Sequence, residues 1–261
     1  MSNVKDTLET VQGIMDAVPV YEDMLQPASK ELGKGLLTIS KTVNIALAPL
    51  AGLVWGYEKI SSYLENSMAG KLKDVPEERI ITPDPSVAVP TIEALRYTAH
   101  KEELRELFSN LIATAMDKDV AIKAHPSFVE IIKQLTPDEA KIICSIKDNG
   151  LNPLIGVQAV NESNGFLEIK KNFTNLSRIV GCSYPEMVSS YIENLNRLGL
   201  ISIDTQTTIA ENSYYDELIN QPEIQLLTPQ ILSMPRKVKY QKYTFSRTEF
   251  GEKFVNSCTR P

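Results

Sequence analysis

The spacing of apolar positions divides this chain into two parts of different character. Over residues 4–17, Val4, Leu8, Val11 and Met15 recur at helical spacing, a stripe that calls for a packing partner. Beyond Pro19 and Pro27, the segment 29–66 places Leu36, Ile39, Val43, Leu47, Leu50, Val54, Tyr57, Ile60 and Leu64 on one seam with a heptad-like period. Pro49 interrupts that seam and is expected to kink or split the helix near Ala46. Four prolines within 74–90 predict a linker or extended loop, with Pro90 in the first turn of the next helix. Ile92, Leu95 and Ala99 line that helix. Leu104, Leu107, Phe108, Leu111, Ile112 and Ala115 make 101–117 amphipathic, and Pro126 opens a further helix carrying Val129, Ile132 and Leu135.

From Thr136 the pattern changes. Thr136-Pro137-Asp138-Glu139 reads as a capping box with Pro at the first helical position, starting a helix that runs to about Lys147. Two β-like runs, 154–160 and 166–169, flank the turn Asn161-Glu162-Ser163-Asn164-Gly165. A short helix over 173–180 follows. A second capping box is expected at Ser183-Tyr184-Pro185-Glu186, opening a helix over 184–198 that Gly199 stops. A strand begins at Leu200, and after an insertion the run 238–245 is expected to pair with it. A third box, Ser246-Arg247-Thr248-Glu249, opens a last helix over 248–258.

These elements predict a mainly α fold with a small β component: a helical N-terminal region and a C-terminal domain like a winged helix-turn-helix. The expected division is a helical region with an apolar kinked helix (1–73), the proline-rich linker (74–90), a helical bundle segment (91–135) and the winged-helix-like domain (136–261), with its insertion at about 205–235.

The chain has 261 residues, 43% hydrophobic and 23% charged, in the range of globular proteins and ample for sizeable cores. Its net charge of −6 argues against bulk nucleic-acid binding as the main task, though it leaves room for a local basic patch. Cys144, Cys182 and Cys258 are far apart and odd in number, and form neither a disulfide framework nor a zinc motif. A reducing cytoplasm is the expectation. The acidic, amphipathic N-terminus has no signal-peptide organisation.

The winged-helix reading directs attention to two surfaces. The helix that would enter a DNA groove carries Glu186, Ser189, Ser190, Glu193, Asn194, Asn196 and Arg197, a poor surface to lay against phosphates. The wing strand is better, with Arg236, Lys237, Lys239, Lys242 and Arg247 interleaved with Tyr240, Tyr243 and Phe245. Strand alternation would put some of these bases on one face, to meet nucleic acid or an acidic protein partner. The plainer alternative is a solvated hairpin whose lysines protect an edge. An acidic central helix favours protein docking or dimerisation.

Catalysis has little support. No P-loop, GxGxxG, HExxH or GxSxG motif occurs, and neither a cofactor nor a small-molecule substrate is expected. His125, at a helix start after Asp117 and Asp119, could do acid–base work but is more simply a capping or surface residue. Cys182, beside Gly181, could be a reactive thiol but is more simply a small core residue.

Residues 42–57 carry no charge and hold Trp55, the single Trp of the chain. Pro49, the polar Thr38, Ser40, Thr42 and Asn44, and the continuation of the seam to Leu64 argue against a constitutive membrane span. Small residues beside the seam suit close helix packing. Val43, Leu47, Leu50, Val54, Trp55 and Tyr57 are therefore candidates for a core or oligomer interface, with conditional membrane engagement as the alternative.

Three stretches together resemble the Abi-alpha (abortive infection alpha) family of bacterial proteins: LGKGLLTISKTVNIALAPLAGLVWGYEKI (32–60), LKDVPEERIITPDPSVAVPTIEALRYTAHKEELRELFSNLIATAMD (72–117) and AHPSFVEIIKQLTPDEA (124–140). The resemblance extends from about Glu31 to the C-terminal helix. It implies a cytoplasmic bacterial protein associated with phage defence. It assigns no catalytic residues.

Overall fold

The computed structural model describes residues 54–147 and 150–259. Within them the chain is mainly helical with one small four-stranded sheet, as expected. The first four helices are α1 (Tyr57–Lys71), α2 (Pro85–Thr98), α3 (Glu102–Ala115) and α4 (Ser127–Lys133). Helix α3 is the hub. Every residue from Leu107 to Ala115 is buried, so other elements surround its second half on all sides. Its polar groups there need partners: Ser109 Oγ donates to the Glu106 carbonyl at 3.2 Å, and Thr114 Oγ1 to the Ser257 carbonyl at 2.8 Å.

Two expectations in this region fail locally. The seam over 29–66 does not continue as helix through 54–57. Gly56 is extended (φ −71, ψ 163) and α1 begins only at Tyr57, while the Trp55 N–H donates to the Arg96 carbonyl at 2.9 Å. That bond ties the incoming chain to the end of α2. Pro49 and the seam before residue 54 lie outside the described residues. Of the described seam, Ile60 is buried and Leu64 packs against the core. Secondly, the proline-rich stretch 74–90 is not all loop. Pro85, rather than Pro90, holds the first helical position of α2, and Asp84 caps it by accepting from the Ser86 N–H at 2.8 Å. Pro90 lies inside the helix. Val87, 1% exposed, buries that first turn.

The remaining elements are α5 (Pro137–Ser145), β1 (Asn152–Val160), β2 (Phe166–Phe173), α6 (Leu176–Ile179), α7 (Val188–Arg197), β3 (Ile201–Asp204), α8 (Ser213–Ile219), α9 (Pro222–Gln225), α10 (Leu227–Leu232), β4 (Lys237–Arg247) and α11 (Glu249–Cys258). The capping box at Thr136 and Glu139 is formed reciprocally, at 3.2 and 2.7 Å. The box expected at Ser183 is not. A 3-10 turn, Pro185–Met187, precedes α7 without a side-chain cap. Its place is taken by Asp138 of α5, whose carboxylate accepts from the Ser183 and Tyr184 N–H groups at 2.8 and 3.0 Å. In the last box Ser246 belongs to β4, and Thr248 is the cap of α11, accepting from the Gly251 N–H at 2.9 Å. Phe173 closes β2 rather than opening a helix.

The sheet order is β2-β1-β4-β3, antiparallel throughout. Strand β4 pairs with β3 as expected, from Ile201↔Arg247 to Asp204↔Thr244, and also with β1, from Asn152↔Phe245 to Val160↔Lys237. The segment 205–235 does not project as a long wing. It forms α8, α9 and α10, which bury Tyr215, Leu218, Ile224 and Ile231 against the sheet. Residues Leu154 to Ala159 of β1 are consecutively buried, as a strand covered on both faces must be. One cluster of buried side chains runs from Ile60 to Cys258.

Candidate functional site

The bases of β4 do not form a single surface. Lys237 and Lys239 are exposed on one face. Lys242 lies on the alternate face, under α8: its Nζ donates to Asn212 Oδ1 at 2.9 Å and sits 5.4 Å from the Tyr215 ring centroid. Arg236 reaches back, Nη1 donating to the Ala159 carbonyl at 3.1 Å. Arg247 is buried, with Nη2 donating to the Ile143 carbonyl at 3.3 Å. Two faces and one buried position therefore share what looks in sequence like one basic run.

The polar face of α7 is similarly occupied. Asn194 donates to the Gln134 carbonyl and to Glu139 Oε1, at 3.2 and 2.8 Å. Arg197 donates to Gln134 Oε1 at 3.0 Å, Asn196 Oδ1 accepts from the Ile203 N–H at 3.3 Å, and Glu193 accepts from Asn172 Nδ2 at 3.3 Å. These groups fasten α7 to its neighbours.

Among the apolar-run candidates, Val43, Leu47 and Leu50 lie outside the described residues. Val54 is exposed, and Tyr57 begins α1. Trp55 is half-buried against the core. Its ring meets Tyr63 edge-on at 5.8 Å, and Lys59 Nζ stands 4.3 Å from its centroid.

The reactive candidates have structural duties. His125 Nδ1 accepts from the Ser127 N–H at 3.1 Å and contacts Ser127 Oγ at 2.7 Å, fastening the start of α4. Asp117 is held by Arg79, whose Nη2 donates to both carboxylate oxygens at 2.8 and 2.9 Å; Asp119 joins the same guanidinium at 2.9 Å. This pins the 77–81 strap across the end of α3. The Cys182 thiol is pushed up to about 11 by burial and by the neighbouring Asp138 carboxylate, the opposite of nucleophile activation. Among the described residues, no group of His, Cys, Asp and Glu could hold a metal ion.

The structure brings together one surface that sequence reading missed. A cleft of about 490 Å³ opens between the 3-10 turn Ala121–Lys123, the start of α4 and the outer face of α11. Phe128, buried, forms its floor, and the Phe250 ring packs on it at 5.4 Å. Ile122, on the rim, is 92% exposed. Lys123, His125 and Lys253 complete the lining together with Asn256, and among the described residues no acid lines it. Because His125 Nδ1 is an acceptor, the neutral ring carries its proton on Nε2, leaving a donor for a ligand group. The available signal was Ile122 itself, a large aliphatic residue beside Val120 in the connection between two helices.

Helices gathered round a buried central helix, with a four-stranded antiparallel sheet packed on the same core and an amphipathic cleft open at its surface, define a mainly α protein with an α+β C-terminal part. The family model described as abortive infection alpha matches residues 56–258, and the chain belongs to that family. A solved structure, that of an uncharacterized protein from the hydrocarbon-degrading marine bacterium Alcanivorax borkumensis SK2, is similar over 55% of this chain and 96% of that one, at 15% identity and a TM-score of 0.38. A likeness at that level transfers neither fold nor function. Comparison with curated proteins returns no match.

Proposed function

We propose that this protein is a non-enzymatic component of bacterial phage defence of the abortive-infection type, acting in the cytoplasm through contact with a protein partner or with copies of itself. Family membership supports the role. The observation that carries the contact reading is Ile122, 92% exposed beside the Phe128–Phe250 cleft. Exposed aliphatic and aromatic side chains around a concave patch are the usual anchors of protein interfaces. Lys123 on the rim favours an acidic partner surface, whereas Lys253 is paired with Glu249 at 2.7 Å. His125 and Cys182, the groups best suited to chemistry in the sequence, serve the fold instead, which supports a role without a catalytic step. Neither a cofactor nor a small-molecule substrate enters this reading. Conditional membrane engagement of the 42–57 run remains part of it.

The test is phage challenge of cells carrying the wild-type chain or Ile122→Asp/Phe250→Asp, with soluble expression and thermal unfolding measured in parallel. Loss of protection with an unchanged unfolding temperature is the expected result. Full protection by the folded variant would sink the contact reading.

A second reading, a winged-helix DNA-binding regulator, draws support from topology. The order α5, β1, α6, α7, β3, β4, with β4 between β1 and β3, matches that arrangement once β2 and 205–235 are treated as additions. The occupied polar face of α7 counts against groove insertion. Retardation of duplex DNA at low salt, lost on Lys237→Glu/Lys239→Glu, would favour it over the first reading.

A further inference from the structure

At the turn end of the β1–β2 hairpin, Phe166 and Leu167 are 56% and 49% exposed. Neighbouring strand residues point to opposite faces, so exposure of both shows that neither face of this strand end is covered. Lys237 pairs with Val160, which pairs with Phe166, and this row crosses the end of the sheet. Lys239 follows on the same exposed face as Lys237. Arg236 is fixed to the same end through the Ala159 carbonyl, and Met234, 43% exposed, lies two residues before it in the turn that leads into β4. Glu162 is the acid of the hairpin turn. Glu168 is paired with Lys171 at 3.2 Å.

The turn itself is closed. The Asn161 N–H donates to the Gly165 carbonyl at 2.9 Å and the Asn164 N–H to the Asn161 carbonyl at 3.1 Å. Asn161 Oδ1 accepts from the Ser163 and Gly165 N–H groups at 3.1 and 2.7 Å. The N–H groups of Asn161, Ser163, Asn164 and Gly165 are thereby satisfied and can approach an apolar medium without being stranded.

We propose that this end of the sheet is a peripheral contact site for an anionic lipid bilayer. Phe166, Leu167 and Met234 enter the interfacial layer, and Arg236, Lys237 and Lys239 meet the headgroup phosphates. The site is independent of the Ile122 cleft and of any span. Among the described residues no helix is long and apolar enough to cross a membrane, so contact through this part of the chain is peripheral. A bilayer fits better than a protein or a nucleic acid for two reasons. The end is exposed on both strand faces, and a deformable surface accepts it without a matching hollow. Phe166 offers a single ring, while Leu167 and Met234 are apolar without one, suited to acyl chains rather than to stacking successive bases.

Flotation of the full chain with vesicles of phosphatidylcholine containing about 30% phosphatidylglycerol, against phosphatidylcholine alone, tests this. The wild type is expected to float with the anionic vesicles and much less with neutral ones. Lys237→Glu/Lys239→Glu should weaken binding by about fivefold or more per cation lost. Phe166→Ser/Leu167→Ser should weaken it at least about tenfold at unchanged salt. Met234→Ser, outside the strands, reads the same contact if the strand variants lose their fold. No flotation at low salt overturns the proposal, as does flotation that survives the apolar substitutions. Retention of single-stranded DNA lost on the lysine substitutions, with vesicle binding unaltered, would assign the patch to nucleic acid and overturn it equally.

Discussion

The Tyr243 hydroxyl of β4 reaches Asn172 of β2 across the intervening strand, accepting from the Asn172 N–H at 2.8 Å and donating to Asn172 Oδ1 at 3.0 Å. Gly156 of β1 lies beneath the crossing; a Cβ there would stand 3.6 Å from Tyr243 Cε1. Asn172 has φ +51, and the β1–β2 register shifts along this stretch. The bulge turns the Asn172 N–H out of the ladder, and the tyrosine satisfies it. Tyr243→Phe strands that donor and should cost about 1–2 kcal/mol. Urea denaturation should show a lower midpoint with an unchanged slope. An unaltered midpoint would mean that water satisfies Asn172 as well as Tyr243 does.

Gly251 faces a harder constraint. A Cβ at this position would lie 2.0 Å from the Leu200 carbonyl oxygen and 2.9 Å from Arg247 Cγ. The same carbonyl accepts the Thr248 N–H at 3.1 Å, so it cannot withdraw without undoing the start of α11. Gly251→Ala should therefore destabilise by about 3 kcal/mol or more, despite the helix preference of alanine. Thermal unfolding reads the loss, and an unchanged transition would contradict this close approach.

Asp138 should give the protein part of its acid sensitivity. Its burial acts to raise the carboxyl, but the Ser183 and Tyr184 N–H groups and the Tyr191 hydroxyl outweigh that and hold it below the usual carboxylate range. A folded-state value below the unfolded one stabilises the protein above the ordinary carboxylate range. That stabilisation disappears as pH falls through the folded-state value. Asp138→Asn should cost about 2 kcal/mol at neutral pH and flatten the acid limb of the stability curve. A variant with the wild-type acid limb would place that sensitivity elsewhere.

Cys182 should be a slow nucleophile. With its thiol raised to about 11, little thiolate exists near neutrality. Cys258 is fully buried, and that burial raises its thiol well above the ordinary value. In a Cys144→Ser background, iodoacetamide at pH 8 should label the native protein far more slowly than the urea-unfolded chain. Equal rates would show an accessible, ordinary thiol.

Much of the fold is legible in the apolar pattern because that pattern records burial directly. The amphipathic run at Leu104–Ala115 becomes α3, the box at Thr136–Glu139 forms as written, and the 238–245 run pairs with the strand after Gly199. Failures fall where a distant group supplies what local chemistry was expected to supply. Ser183 looks like a cap, yet Asp138, far back along the chain, satisfies the N–H groups in question. Alternation was expected to put only some of the β4 cations on one face; the structure keeps Lys237 and Lys239 together, turns Lys242 under α8 and gives Arg247 to the core.

Periodicity, caps and prolines were enough to set the sequence of helices and strands, because each depends on residues within a turn or two of one another. Which side chains remain for a partner was decided only when the elements packed. Segment 205–235 folded over the sheet rather than extending from it, α7 spent its polar groups on its neighbours, and Ile122 was left bare beside Phe250. Those outcomes depend on pairings across tens of residues, where burial and unsatisfied polar groups are reconciled for the whole core at once.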